Sequence, residues 1–409
     1  MNDTLLDKYA RLIVKTGINI QQDQTLVIIS PIECAHFTRL IARTAYEEGA
    51  RDVVISWRDE LFSHIRFLHA PEAVFEEYPQ WQKEFYLTHV RQGAAFLTIA
   101  ANDPELMQDV EPQRMVKAQK AGNTALQEYR ERLMSGKNSW SVVSIPTRSW
   151  ARKVFPDLSE DEAVEKMWGL IFKTVRVDAA DPVSAWQIHK QNLKKRMDFL
   201  NSSNLRFLHF KNSLGTDLKI ELPENHLWLG GSDYTPEGVE FMANMPTEEV
   251  FTLPKKSGVN GKVISSMPLN YNGKLIERFS LTFKDGRIVD FAAEKGFEAL
   301  KSIIETDEGS HYLGEVALVP YDSPISNENI LFFNTLFDEN ASCHLAIGKA
   351  YPVCIKNGEN LAREELEKLE VNDSLVHEDF MIGTKDLEIS GITAAGTEIR
   401  VFKHGNFAI

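Results

Sequence analysis

Cysteine is scarce. The 409 residues hold three, Cys34, Cys343 and Cys354, too few to pair completely and none spaced from another like a zinc knuckle or a redox dithiol. That excludes a disulfide-stapled scaffold and fits a reducing compartment. Long apolar runs are missing as well: none approaches the roughly 20 residues needed to span a bilayer, and the opening Met1-Asn2-Asp3-Thr4 lacks the basic n-region and apolar stretch of a signal peptide. The expectation is a cytoplasmic protein with no membrane partner. Positive charge is in deficit, with 45 Lys and Arg against 59 Asp and Glu, a net −14 with histidine neutral. Such a field repels phosphate backbones and anionic lipid, so nucleic acid is not an expected partner.

What is present suits a folded protein: 43% apolar and 25% charged residues, in a chain long enough to divide into two domains. Leu5, Tyr9, Leu12 and Ile13 recur at helical spacing, and Thr25-Leu26-Val27-Ile28-Ile29-Ser30 reads as a buried strand. A helix over 33–48 ending at Gly49 and a strand over 52–57 complete a βαβ unit. The rhythm continues with a strand at 94–100, a helix over 113–134, a strand at 140–145, and helices over 160–173 and 183–200. This predicts a doubly wound α/β domain over residues 1–200, serving as scaffold or substrate wall. The turn after its first strand, Ser30-Pro31-Ile32-Glu33-Cys34-Ala35, has no glycine and places an acid where a pyrophosphate would sit, which argues against dinucleotide binding.

Past Asn201 the texture changes to short alternating runs, such as 205–210 and 217–222, with hairpin signals at Asn272-Gly273 and Asp285-Gly286. The expectation is a β-rich α+β domain over 201–409. Here residues competent to bind metal recur inside strand-like segments. In Asn244-Met245-Pro246-Thr247-Glu248-Glu249-Val250-Phe251-Thr252 a strand would turn Glu248 and Glu249 to opposite sides, so one of them at most enters a given site. Taken alone, the pair also reads as two exposed glutamates. In Gly314-Glu315-Val316-Ala317-Leu318-Val319-Pro320 a single carboxylate opens an apolar strand and reads equally as a surface residue at a strand end. Asp338-Glu339-Asn340-Ala341-Ser342-Cys343-His344 sets His344 opposite Cys343 if extended, which makes the thiol packing and the imidazole either a ligand or a satisfied core residue. In Val376-His377-Glu378-Asp379-Phe380 the imidazole and carboxylate two apart share one face of a strand. Together Glu249, Glu315, Glu339, His344, His377 and Asp379 supply nitrogen and oxygen for two ions and no sulfur, a set suited to zinc, cobalt, manganese or magnesium. Two such ions, bridged by carboxylates, hold a hydroxide and polarise a carbonyl, which is hydrolytic chemistry.

These segments, with Tyr351 seven residues after His344, resemble the thermophilic metalloaminopeptidases of the aminopeptidase T, PepS and AmpS type over essentially the whole chain. The resemblance implies an α/β N-terminal domain, a β-rich catalytic domain and a homodimer. It implies Glu249, Glu315, His344, His377 and Asp379 as ligands of two divalent ions per subunit, with Glu339 a sixth between the first and outer layers. Tyr351 then donates a hydrogen bond to the oxyanion. The residues do not single out a general base: Glu315 serves if it is not purely a ligand, and Glu248, facing away, is the weaker option. Phe241-Met242-Ala243-Asn244, just before the first motif, and the charged, helical-looking stretch 357–373 depart from the family pattern. The expected function is release of N-terminal amino acids from peptides. The alternatives are a metal-dependent amidase or hydrolase of a non-peptide bond and a non-catalytic peptide binder.

Overall fold

In the computed structural model, which describes residues 3–271 and 273–409, the chain forms two compact units, Met1–Ile188 with Ser232–Pro246, and His189–Gly231 with Thr247–Ile409. The first is built on a parallel sheet. Strands β1 (Thr25–Pro31), β2 (Asp52–Arg58), β3 (Ala95–Ile99) and β4 (Trp140–Val143) stand in the order β2-β1-β3-β4, and the two-residue strand Asn244–Met245 adds to β4, also parallel. The apolar run of β1 is buried along nearly its whole length, as a central parallel strand requires. Val27, Ile29 and Phe96 pack with Tyr86, Val90 and Leu133 from the intervening helices. The helix expected over 113–134 is two, Pro112–Ala125 and Gln127–Met134, broken at Leu126. The stretch 33–48 is a turn of 3₁₀ helix followed by the helix Ala35–Glu47. The helices expected over 160–173 and 183–200 are present as Glu160–Thr174 and Pro182–Ser202, the former opened by a Ser159–Glu162 capping box.

The second unit is β-rich. An eight-stranded sheet includes Leu205–Lys211, Asp217–Glu221 and the hairpin Ser280–Lys284/Arg287–Ala292. That hairpin turns at Asp285 and Gly286, both at positive φ, and a Cβ on Gly286 would stand 1.8 Å from the Lys256 carbonyl, so only glycine fits. Asn272 lies outside the described residues; the flanking strands Leu269–Tyr271 and Lys274–Ile276 pair antiparallel. The charged stretch 357–373 holds only the short helix Arg363–Lys368 and a 3₁₀ turn at Gly358–Asn360.

A separate four-stranded antiparallel sheet positions the metal-competent residues. It runs β5 (Val250–Thr252), β6 (Leu313–Leu318), β7 (His344–Gly348) and β8 (His377–Met381), in that order. Val250, Val316, Leu318, Leu345, Ile347 and Phe380 turn one face into the main core of this unit. Among the described residues no helix is long and apolar enough to cross a membrane.

Candidate metal centre

The other face of that sheet carries the polar groups. Pairing sets Glu315 opposite Ala346, Ala346 opposite Asp379, Ala317 opposite His344, and Gly348 opposite His377. With period-two alternation all of these project to one side. Alanines and glycine between the ligating residues leave space above the sheet. A bulge between Leu313 and Glu315 re-aims Glu315. It needs Gly314, because a Cβ there would stand 2.2 Å from the Lys349 carbonyl oxygen. Glu249 immediately precedes β5, in line with Phe251, which pairs with Ala317.

Two triads result: Glu249, Glu315 and His344; and Glu315, His377 and Asp379, the ligand-capable atoms of each lying within 4.8 Å of one another. Glu315 is common to both. Its Oε1 lies 3.6 Å from His344 Nε2 and its Oε2 3.4 Å from His377 Nε2, so one carboxylate spans the two imidazoles. Glu249 Oε2 is 3.1 Å from His344 Nε2, and Asp379 Oδ1 is 3.5 Å from His377 Nε2. Both of those oxygens are buried and accept no hydrogen bond despite that proximity. Bare buried acceptors are costly. Lone pairs aimed at shared points rather than at protons are what cation ligands require.

The imidazoles are oriented the same way. His377 Nδ1 lies 2.7 Å from the Lys349 carbonyl and His344 Nδ1 3.2 Å from that of Ser342. A carbonyl only accepts, so each Nδ1 carries a proton and Nε2 is the ring nitrogen turned to the carboxylates. Burial, with Asp379 and Glu315 nearby, raises Glu249 above the usual carboxylate range, although His344 opposes this. Burial and then Asp379 and Glu249 raise Glu339 well above it. Burial also works against Glu315, but the two imidazoles outweigh it and pull its carboxyl down to about 2. Both histidines are raised well above their ordinary value by the surrounding carboxylates, against the effect of burial.

The structure therefore brings Glu249, Glu315, His344, His377 and Asp379 to one place. Glu339 is outside both triads but lines a small cavity together with Asp379. The Tyr351 ring stands against His377, ring centres 4.7 Å apart, and burial lifts its phenol above the ordinary tyrosine value. Cys343 is buried in the core cluster, its thiol donating to the Val319 carbonyl. Two expectations are corrected. Glu248 and Glu249 do not lie in a strand, since β5 begins at Val250, and neither is exposed. Glu248 Oε2 is 3.8 Å from His189 Nε2, while the Glu248 amide donates to Asn340 Oδ1 at 2.7 Å. Asn340 itself went unremarked in the sequence. Fully buried, it also donates to the Leu336 carbonyl and to Glu339, tying the Glu249 segment to the Glu339 segment. Its position directly after Glu339 was the one available signal.

A family model described as thermophilic metalloprotease (M29) matches residues 2–407. Aminopeptidase 2 of Geobacillus stearothermophilus is 50% identical over 403 residues, 98% of this chain and 97% of that protein. Aminopeptidase AmpS of Bacillus subtilis is also 50% identical, covering 98% of each. The solved structure of wild-type AmpT from Thermus thermophilus aligns with a TM-score of 0.93 at 38% identity over 100% of both chains. A match spanning nearly every residue, over a sheet whose polar face gathers three carboxylates and two imidazoles, leads to one conclusion: the chain belongs to the M29 family of thermophilic metalloproteases and is a peptidase.

Proposed function

We propose that this protein is an aminopeptidase that removes N-terminal residues from peptides with two divalent ions, of zinc, cobalt, manganese or magnesium, seated in the two triads. The observation that carries this is the sharing of Glu315 between them. When bound, the ions supply Lewis acidity and an acidified water as hydroxide nucleophile. Glu249 and His344 would hold one ion, His377 and Asp379 the other, and Glu315, common to both triads, would serve each. Glu339 sits at the edge beside Asp379, where an anionic wall suits a free α-ammonium. Tyr351, packed on His377, would donate a hydrogen bond from its phenol to the oxyanion as the scissile carbonyl becomes tetrahedral. Burial keeps that phenol protonated and so able to donate. In this reading the second unit is the catalytic domain and the first is scaffold and substrate wall.

The test compares a leucyl arylamide with its N-acetylated counterpart. A site built around a free amine is expected to discriminate by on the order of 10⁴ in kcat/KM. Equal cleavage of both would instead mark a general amidase, and metal binding without cleavage of either a non-catalytic binder.

We also propose a homodimer working in the cytoplasm. The three cysteines are buried and unpaired, as in a reducing compartment. On the helix Glu60–His69 no residue is buried, and Leu61, Phe62, Ile65 and Leu68 form an exposed stripe, Phe62 at 62%. The helix is acidic at Glu60 in its first turn and basic at Arg66 and His69 in its last. Antiparallel pairing with a second copy across a two-fold axis therefore matches opposite charges as it covers the stripe. Ile65→Glu is expected to convert dimers to monomers in analytical ultracentrifugation without loss of helical signal. An unchanged sedimentation coefficient contradicts the pairing.

A further inference from the structure

Between β7 and β8 the chain leaves the sheet through the charged stretch and comes back through Val371 and Asn372, both buried. Val371 packs with Ala350, Cys354 and Ile355. Asn372 is a polar side chain only 1% exposed, and its amide donates twice, to the Gly348 carbonyl at 2.6 Å and to the Gly309 carbonyl at 2.8 Å. Turned over, the amide would set its oxygen against those two carbonyls, so the pair of acceptors fixes its orientation. Its Oδ1 is left buried with no hydrogen-bond partner among the described residues, a cost the fold accepts for the two bonds that Nδ2 makes. The main-chain carbonyl of Asn372 accepts from the Ala350 amide at 2.9 Å. One residue thus grips the chain on both sides of Lys349. The Lys349 amide is held too, donating to the Val376 carbonyl at 2.7 Å. What these bonds leave set in direction is the Lys349 carbonyl, the group that His377 Nδ1 meets at 2.7 Å.

We infer that Asn372 is a positioning residue: through the Lys349 carbonyl it fixes the His377 ring, so that Nε2 stays turned to Glu315 and Asp379. The inference rests on the two-ion reading and adds a residue that touches none of the ligands. It acts on one half of the centre. His344 takes its orientation from the Ser342 carbonyl, in a segment that Asn372 does not hold. Loss of the Asn372 amide therefore frees the His377 ring and leaves the His344 ring as it was. The ion between His377 and Asp379 weakens, and the ion between Glu249 and His344 does not.

The experiment titrates the dialysed full chain with zinc in a calorimeter, against a competing chelator. Wild type is expected to take two ions. Asn372→Leu keeps the volume and removes both donors, and Asn372→Asp is the milder change. Each is expected to weaken one ion by about 10- to 100-fold, the usual loss when a group that orients a ligand is removed, and to leave the other within about twofold. A nitrogen-15 histidine spectrum of the zinc-loaded protein supplies the second reading. The His377 Nδ1 proton is expected to be protected from exchange in wild type and to lose that protection in both variants, while the His344 proton keeps its own. Leu218→Ala, a truncation in the core of the same unit, is expected to lower stability and move neither reading. Variants that hold both ions with wild-type affinity overturn the inference, as does equal weakening of the two. So does a wild-type His377 Nδ1 proton that exchanges as fast as that of free imidazole, a result that needs no variant to fold. A wild type that binds no zinc overturns the two-ion reading, and this inference with it.

Discussion

Glu315→Gln is expected to abolish metal retention at both positions and to lower kcat/KM by on the order of 10⁴ or more. The reason is geometric. Each oxygen of this carboxylate faces a different imidazole, at 3.6 Å and 3.4 Å, so one side chain completes both triads. The amide keeps the shape but replaces one oxygen by a donor and removes the negative charge, so neither cation position keeps its full ligand set. Loss of residues that merely orient ligands costs about 10- to 100-fold, so a larger loss separates the two roles. Asp379→Asn provides the contrast. Asp379 belongs to one triad, and its substitution is expected to leave about one tightly held ion per chain. Elemental analysis after dialysis distinguishes these outcomes. Two retained ions in the Glu315 variant would remove the bridging assignment.

Chelation is expected to lower the melting temperature by about 10 °C or more, with a gap that widens as pH rises from 5 to 8. At a thousandfold excess over its dissociation constant one ion stabilises the folded state by about 4 kcal/mol, and 1 kcal/mol moves the midpoint of a domain near 200 residues by ~2–4 °C. The pH dependence follows from the direction of each shift. Glu249 and Glu339 are raised in the metal-free fold, so above about 4.5 the folded state holds protons that the unfolded chain has released, and stability falls as pH rises. His344 and His377 are raised too. Their contribution is full below about 6.5 and is lost as pH rises through their folded values. Glu315 has the opposite sign: held at about 2, its contribution is present above 4.5 and disappears only as pH falls toward 2, below the window considered. Cation binding needs the same groups deprotonated, so the loaded protein gains where the metal-free protein loses. Calorimetry at several pH values, with and without chelator, checks this. A gap that narrows toward pH 8 contradicts it.

Much of this arrangement was legible because it is local. His377 and Asp379, two apart, share a face on any strand, and β8 is one. The opposition of Cys343 and His344 and the Asp285-Gly286 turn were visible for the same reason. The sharing of Glu315 between the two triads was not, since it depends on the register that aligns residues 315, 346 and 379 across three strands separated by long connections. The burial of Glu248 and Glu249 was equally hidden. A carboxylate pair looks solvated until the chain places His189, Asn340 and His344 around it. The groups that orient the imidazoles are main-chain carbonyls of Ser342 and Lys349, which leave no mark on side-chain pattern. Helix lengths erred where charge mimics helical periodicity without an apolar face to bury. The helix Arg363–Lys368 has no buried residue and covers only part of its charged stretch.

In the proposed centre Glu249, Glu315, His344, His377 and Asp379 together seat two cations. Anomalous diffraction from crystals soaked with a single divalent metal tests it most directly. Two peaks roughly 3.5 to 4 Å apart are expected, both within bonding distance of Glu315. A single peak, or peaks away from these side chains, would contradict it.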